Sequence, residues 1–414
     1  MYRNNAWNKY KDNLNEVMSF AEGYKKFLSY AKTERLATRY VVSLLQEKGF
    51  KDASTVKNVK VGDKLYFVNK NKNVAAFVIG KKPLEEGMRI LGAHIDSPRI
   101  DFKENPFYES NGFVLADTHY YGGIKKYQWT ARPLALRGVV VKKSGEVVEI
   151  DIGDDECDPV LGIGDLLIHL AADQLGKIGA KVVEGESLDV TLGIINFTDD
   201  EKVNAKEYLQ DVLKVKYNLE LEDFVSAEIE VVPAGGARDY GIDRSMVAGY
   251  GHDDRVCAYS SLLALLDTKI NEYTSCCILV DKEEIGSVGA TGAQSHFFEN
   301  TIADLFKLQG ASDCLYLARK SMANSKMLSS DVSAGYDPLY SSVFDNKNAA
   351  FLGSGLVFNK YTGSRGKSGC NDANPEYYAW IRNIMDSSDI YWQSAELGKV
   401  DQGGGGTIAY ILGN

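Results

Sequence analysis

Glu283 and Glu284 stand side by side at the end of an apolar run, in Cys277-Ile-Leu-Val-Asp-Lys-Glu-Glu-Ile-Gly. Cys276 to Val280 reads as a buried strand, and open α/β folds bind ligands just beyond the carboxyl ends of their strands. Two glutamates there repel one another and are costly to desolvate unless a cation neutralises them. One can ligate a metal ion while its neighbour takes a proton from the activated water. An isolated Glu-Glu pair is ordinarily a solvated turn. Chemistry is favoured here because metal-type ligands recur at other strand ends.

Three further segments supply them. In Leu91-Gly-Ala-His94-Ile-Asp96-Ser-Pro, the histidine ends an apolar strand and Asp96 follows two residues on, on the same side of an extended chain. A ligating histidine commonly donates its other ring N–H to a carboxylate, although a lone histidine is more often a hydrogen-bonded interior residue. Tyr250-Gly-His252-Asp253-Asp254-Arg255 directly precedes an apolar helical pattern. One Asp there would be an ordinary helix cap; a His-Asp-Asp triplet after Gly251 is less easily explained that way. Asp331, in Met327-Leu-Ser-Ser-Asp331-Val, follows a short run that can end a strand, and alone it carries almost no information. Together these segments give one histidine and several carboxylates, the N/O donor set of a zinc, cobalt or manganese hydrolase. Two such ions about 3.5–4 Å apart could share one carboxylate and act on one carbonyl.

The elements that must position these residues are legible in outline. Residues 5 to 50 have helical spacing, with Val17, Phe20, Tyr24, Phe27 and Leu28 recurring on one face and a stop at Gly49. Strand-like runs follow at Lys64 to Asn69, Val74 to Ile79 and Arg89 to His94. From about Asp101 to Tyr240, short β-type runs dominate: Gly138 to Lys142, Glu146 to Ile152, Leu188 to Ile195 and Ala227 to Val232. One helical stretch is expected near Gly164 to Lys177. Alternating strand and helix patterns resume at Val247, with a helix over Arg255 to Leu266. The pattern predicts a discontinuous catalytic α/β domain over 1–100 and 241–414, split by a β-rich insertion over 101–240.

Composition narrows the function classes. The 414 residues are 44% hydrophobic and carry a formal charge of -10. A pI near 5.2 argues against nucleic acid or an anionic membrane as partner. The polar stretch Tyr2 to Asn15 has no apolar signal core, and no run approaches a membrane span. The six cysteines include no Cys-x-x-Cys pair, so reduced core thiols and a cytoplasmic setting are expected.

The spaced motifs resemble those of the binuclear aspartyl aminopeptidase and vacuolar aminopeptidase family of metallopeptidases, over most of the chain. Ala93-His94-Ile-Asp96-Ser-Pro is similar to its first metal motif. Gly241-Ile-Asp-Arg-Ser-Met246 with Tyr250-Gly-His-Asp253-Asp254-Arg resembles the second. Asp281-Lys-Glu283-Glu284-Ile-Gly with Gly292-Ala-Gln-Ser resembles the third, and Ser330-Asp331-Val the fourth. Gly398-Lys-Val-Asp-Gln-Gly-Gly-Gly-Gly406-Thr-Ile-Ala is similar to the family's glycine-rich element. The resemblance implies a mixed-sheet, zinc-peptidase-like domain with helices on both faces. It implies a hydrolase that releases N-terminal residues from peptides and assembles into a large homo-oligomer, commonly a dodecamer. Carried over residue by residue, it implies that His94 and Asp331 hold one divalent ion, Asp253 bridges two, and Glu284 serves the second. Glu283 would then be the general base acting on metal-activated water, with Asp96 orienting His94.

The sequence also departs from the family. A further histidine ligand is expected beyond the glycine-rich element, whereas this sequence ends eight residues past Gly406, with histidines only at 94, 119, 169, 252 and 296. A missing C-terminal segment is the favoured explanation; His252 as a local substitute, or a weakened scaffold form, are the others. Ser333-Ala334-Gly335 stands where some members carry a histidine, which leaves acidic against neutral preference open. Arg238, Arg255, Lys360, Arg365, Lys367 and Lys399 are available for an acidic side chain or peptide carboxylate, with Lys360 put forward for that role. His169 resembles an insertion-domain histidine that approaches a neighbouring subunit's active site, and an ordinary histidine on a helix is the equal alternative. Gly363-Ser-Arg-Gly366-Lys367-Ser368 lacks phosphate-loop spacing, because Tyr361 stands where the first glycine is required. Another binuclear amidohydrolase or deacylase remains the nearest rival.

Overall fold

The computed structural model describes residues 4–195, 205–362 and 366–413. The chain divides into two compact units. The first comprises Met1–Phe27, Ala37–Asp96 and His252–Asn414, and the second Leu28–Leu36 and Ser97–Gly251.

The first unit is built on a mixed six-stranded sheet. Its strands lie in the order Lys51–Asp52, Lys64–Asn69, Asn73–Val78, Thr274–Val280, Met88–His94, Lys326–Ser329. Thr274–Val280 runs parallel to Met88–His94, which runs parallel to Lys326–Ser329. Cys276 and Cys277 point to opposite faces, and both are buried, so both faces of this central strand are covered. The amphipathic helix Phe297–Leu308 buries Phe298, Thr301, Ile302, Leu305 and Phe306, the i, i+3, i+4, i+7, i+8 stripe of a helix lying on a core. Phe298, Ile302, Leu305 and Phe306 join Phe77, Met88, Ile90, Ile278 and Ile408 in one apolar cluster. Each such side chain contributes about 1.5–3 kcal/mol by leaving water.

The helix His252–Leu266 is held by aromatic packing. Phe27 stacks on Tyr259 with ring centroids 5.4 Å apart, and Tyr24 lies 5.7 Å from the same ring. A β-carbon at Gly23 would come within 2.3 Å of the Tyr259 hydroxyl, so a bare backbone is needed for this approach.

The second unit has its own six-stranded sheet, with neighbours in the order Val147–Ile152, Leu134–Val141, Ala227–Pro233, Arg99–Ser110, Phe113–Tyr121, Val190–Gly193. All its pairings are antiparallel. Two sequence expectations need correction here. The stretch from Gly164 to Lys177 is not one helix; it contains the turn Ile168–Leu170 and the four-residue helix Ala172–Leu175. Its apolar side chains, Leu166, Leu167, Ile168 and Leu170, are nearly consecutive and exposed, so no core-facing stripe forms. The helix of this region is instead Ala205–Tyr217, whose Ala205 and Leu213 are buried. The expected strand Leu188 to Ile195 also shortens, to Val190–Gly193.

Arg99 lies at the heart of the second unit among Glu34, Asp101 and Glu230, which it meets at 3.4, 2.7 and 3.2 Å. Its guanidinium also sits 3.9 Å from the centroid of Tyr121. Burial pushes the Glu230 carboxyl well above its ordinary range; Arg99 opposes this, while Glu34 and Asp101 add to it. Arg99→Leu removes the opposing charge and is expected to destabilise the protein by about 3–5 kcal/mol. Glu230 already has a folded-state pKa above its unfolded one, so its neutral form suits the fold and stability falls as pH rises. Losing Arg99 raises that pKa further. The deficit of the variant is therefore larger at pH 8 than at pH 5, measured by denaturant titration at both.

Candidate metal centre

Three parallel strand ends meet at one edge of the first sheet. Val280 pairs with His94, and Ser329 with Gly92. The Ile95 N–H donates to the Val280 carbonyl at 2.9 Å, and the Ser330 N–H to the Gly92 carbonyl at 2.7 Å. The register therefore delivers His94, the Asp281–Glu284 segment and Asp331 to a common point. Asp253 and Asp254 arrive from the start of the helix His252–Leu266, where the backbone is not yet helical.

His94 is buried, and its Nδ1–H donates to Asp96, 3.0 Å from the carbonyl and 3.2 Å from the carboxylate. That fixes the tautomer and turns Nε2 toward the carboxylates. Nε2 lies 3.1 Å from Asp253 Oδ1 and 3.9 Å from both Glu283 Oε2 and Asp331 Oδ1. Donor atoms of His94, Asp253 and Glu284 lie within 4.8 Å of one another, as do those of His94, Asp254 and Asp331. All the residues named for ligation and base catalysis thus come together.

Asp96 does more than hold the imidazole. Its two carboxylate oxygens accept the backbone N–H groups of Glu283 and Glu284, each at 3.2 Å. One buried carboxylate therefore links the histidine to the Glu-Glu loop.

The electrostatics are those of a site made for cations. Burial pushes Glu283 up to about 7; His94 pulls it down, and Asp331, Asp96 and Asp253 push it further up. Burial likewise raises Glu284 to about 8, with Asp253 adding to the shift. Burial works against charging His94, yet hydrogen bonds to Asp253, Asp331 and Asp96 lift it well above its ordinary value. Oε1 of Glu284 and both carboxylate oxygens of Asp254 are buried without a hydrogen-bond partner among the described residues. Orphaned buried carboxylate oxygens around one oriented imidazole fit divalent ions that accept N and O donors.

Asp254 is the residue whose part in this cluster sequence reasoning missed. The resemblance assigned a role to Asp253 and none to its neighbour. The non-helical backbone at the start of the helix brings both carboxylates to the cluster, and the doubled Asp was the available signal. His252 is engaged elsewhere, its Nδ1 2.7 Å from the Tyr24 hydroxyl. Lys360 is half-exposed and faces Asp372 at 3.8 Å, which Lys367 also meets, at 2.8 Å. Arg255 is buried. Arg365 and the start of the Gly363 segment lie outside the described residues. His169 belongs to the second unit, on the exposed turn Ile168–Leu170.

The profile of the aminopeptidase I zinc metalloprotease (M18) family matches residues 27–413. A probable M18 family aminopeptidase 1 from Clostridium acetobutylicum is 55% identical over 414 residues, covering 99% of this chain and 89% of the relative. The crystal structure of an M18 aminopeptidase from Thermotoga maritima superposes with a TM-score of 0.96 at 42% identity, over 100% of this chain and 90% of that one. The mApe1 dodecamer from S. cerevisiae shares the fold, with a TM-score of 0.70 at 20% identity over 92% and 85% of the chains. These matches do not favour a scaffold form or another class of amidohydrolase. No helix among the described residues is long and apolar enough to cross a membrane. The chain belongs to the M18 aminopeptidase I zinc metalloprotease family and is a metal-dependent aminopeptidase.

Proposed function

We propose that His94, Asp331, Asp253 and Glu284 hold two divalent ions, zinc first and cobalt or manganese as alternatives, with Asp253 shared between them. The observation that carries this reading is that two donor groups share His94, one with Asp253 and Glu284 and the other with Asp254 and Asp331, the donor atoms of each group lying within 4.8 Å of one another. Such ions, when bound, lower the pKa of water and polarise the scissile carbonyl. Glu283 takes the proton from the attacking water and passes it to the departing amine. Its carboxylate, 3.9 Å from His94 Nε2, stands beside the ligands with 15% of its side chain exposed, close enough to solvent to exchange protons. Asp96 keeps His94 Nε2 directed at the cluster and holds the backbone of both glutamates.

The substrates are peptides with a free N-terminus, and Lys360 is assigned to a substrate carboxylate. The catalytic domain is discontinuous, over 1–100 and 241–414, interrupted by an insertion over 101–240; the division into two compact units supports this. Self-association into a dodecamer is the proposed assembly. Its support is the run Leu166, Leu167, Ile168 and Leu170, between 53% and 69% exposed around His169, an apolar surface suited to a second copy. A cytoplasmic setting agrees with six free cysteines.

Hydrolysis of amino-acid p-nitroanilides tests the reading. The expected result is release of p-nitroaniline from substrates with a free α-amine, none from N-acetylated ones, loss on chelation and recovery with zinc. Equal rates on blocked and free substrates would contradict it.

A further inference from the structure

The segment that carries Glu283 and Glu284 is neither strand nor long helix, yet it is held more tightly than a solvated turn. Lys282 and Ser287 adopt positive φ of 68° and 60°, conformations that ordinary side chains adopt only when the surroundings dictate them. The Ser287 N–H donates to the Lys282 carbonyl at 2.6 Å, and the Gln294 N–H to the Ser287 carbonyl at 3.1 Å. A β-carbon at Gly292 would lie 2.1 Å from the Ser287 carbonyl oxygen, so the two limbs of the loop touch.

What fixes this loop to the sheet is a buried polar chain outside the metal-ligand set. Asp281, fully buried, accepts the Lys282 N–H at 2.8 Å with one carboxylate oxygen. Its other oxygen accepts the Thr291 hydroxyl at 2.5 Å. The Asp281 N–H donates to the Thr291 carbonyl at 3.2 Å, and the same carbonyl accepts the side-chain amide of Asn73, itself fully buried. Asn69 donates to the Ala290 carbonyl at 2.8 Å and to Asn73 Oδ1 at 3.2 Å. The loop is thus closed at its base from Asp281 to Thr291 and tied through Asn69 and Asn73 to the facing ends of the strands Lys64–Asn69 and Asn73–Val78.

We infer that Asp281, Thr291 and Asn73 form a positioning clamp that sets where Glu283 and Glu284 stand relative to His94. This inference rests on the roles proposed for those two glutamates. None of the three residues touches substrate; they act through the loop. The physical basis is that a reacting group displaced by about 1 Å can cost a hundredfold in rate. Groups that orient metal ligands typically change affinity or activity by about 10–100-fold when lost. Asp96 fixes the loop's leading backbone from one side, and the clamp closes it from the other.

Thr291→Val keeps the β-branched shape and removes only the hydroxyl. The expected result is a zinc affinity weakened about tenfold or more, read by competition with a chromogenic chelator. At saturating zinc, kcat is expected to fall at least about tenfold with KM within about threefold. Thr291→Ser restores the hydroxyl and should return both quantities to within about threefold of wild type. Asn69→Ala, at a half-exposed strand end that bonds the loop's Ala290 carbonyl, gives a smaller loss in both and serves if Thr291→Val does not yield folded protein. Unchanged zinc affinity and kcat in Thr291→Val, or in Asn69→Ala where only that variant folds, would overturn the clamp. So would losses that Thr291→Ser fails to rescue, which would mark a merely structural role. Glu283→Gln, run alongside, separates the two levels. If it is inactive while Thr291→Val is normal, the clamp alone falls; if it turns over normally, the clamp has no base to position and both fall.

Discussion

Glu283→Gln is expected to lower kcat by about a hundred- to ten-thousandfold while leaving zinc content unchanged. Gln keeps the size and one oxygen of the side chain but cannot accept a proton in the relevant range. The backbone N–H groups of Glu283 and Glu284 still reach Asp96, since those bonds do not involve the side chain. His94 keeps its bond to Asp96 as well. The loss should fall on kcat and kcat/KM together, the signature of an interaction needed in the transition state rather than for substrate binding. Steady-state kinetics with parallel metal analysis checks this. A variant with full zinc and wild-type turnover would remove Glu283 from the reaction.

Asp253→Asn should do the opposite and fail on metal first. Asp253 lies 3.1 Å from His94 Nε2 and shares a donor cluster with Glu284, which is why it is the carboxylate proposed to serve both ions. A neutral amide bridges two cations poorly. Losing several kcal/mol of charge stabilisation corresponds to about a thousandfold or more in kcat/KM. Stability supplies an independent sign. Without metal, Asp253 adds to the repulsion felt by Glu283, Glu284 and Asp331 but also pairs with His94, so its loss removes one unfavourable and one favourable interaction and the metal-free melting temperature should change little. With zinc at about a thousandfold over its dissociation constant, wild type gains about 4 kcal/mol from binding, and the variant loses most of that gain. Zinc should therefore raise the melting temperature of wild type well beyond that of the variant. An equal zinc-induced rise in both would mean that Asp253 is not a ligand.

Much of this site was legible because strand ends announce themselves. Cys276 to Val280 and Arg89 to His94 are apolar runs that stop at a charged or polar residue, and both are strands that stop there. Asp331 was different. Its strand, Lys326–Ser329, is short, half-buried and at the sheet edge, so no apolar run advertised it. The contacts that sequence could not give are those between distant segments. Asp96 grips the Glu283 backbone across 187 residues, a bond made possible only by the parallel register of Val280 against His94. In the second unit the helix pattern misled. The apolar cluster from Leu166 to Leu170 looked helical by composition but has no buried stripe, while Ala205–Tyr217 covers the sheet with only a few buried residues.

The most direct measurement is anomalous diffraction at the zinc absorption edge from crystals grown with zinc. The expected map holds two peaks about 3.5–4 Å apart. One should be bonded to His94 and Asp331, the other to Glu284, with Asp253 touching both and Glu283 alongside but not ligated. A map with no peak among these side chains, or with zinc bound elsewhere while they pair with one another, would contradict the account.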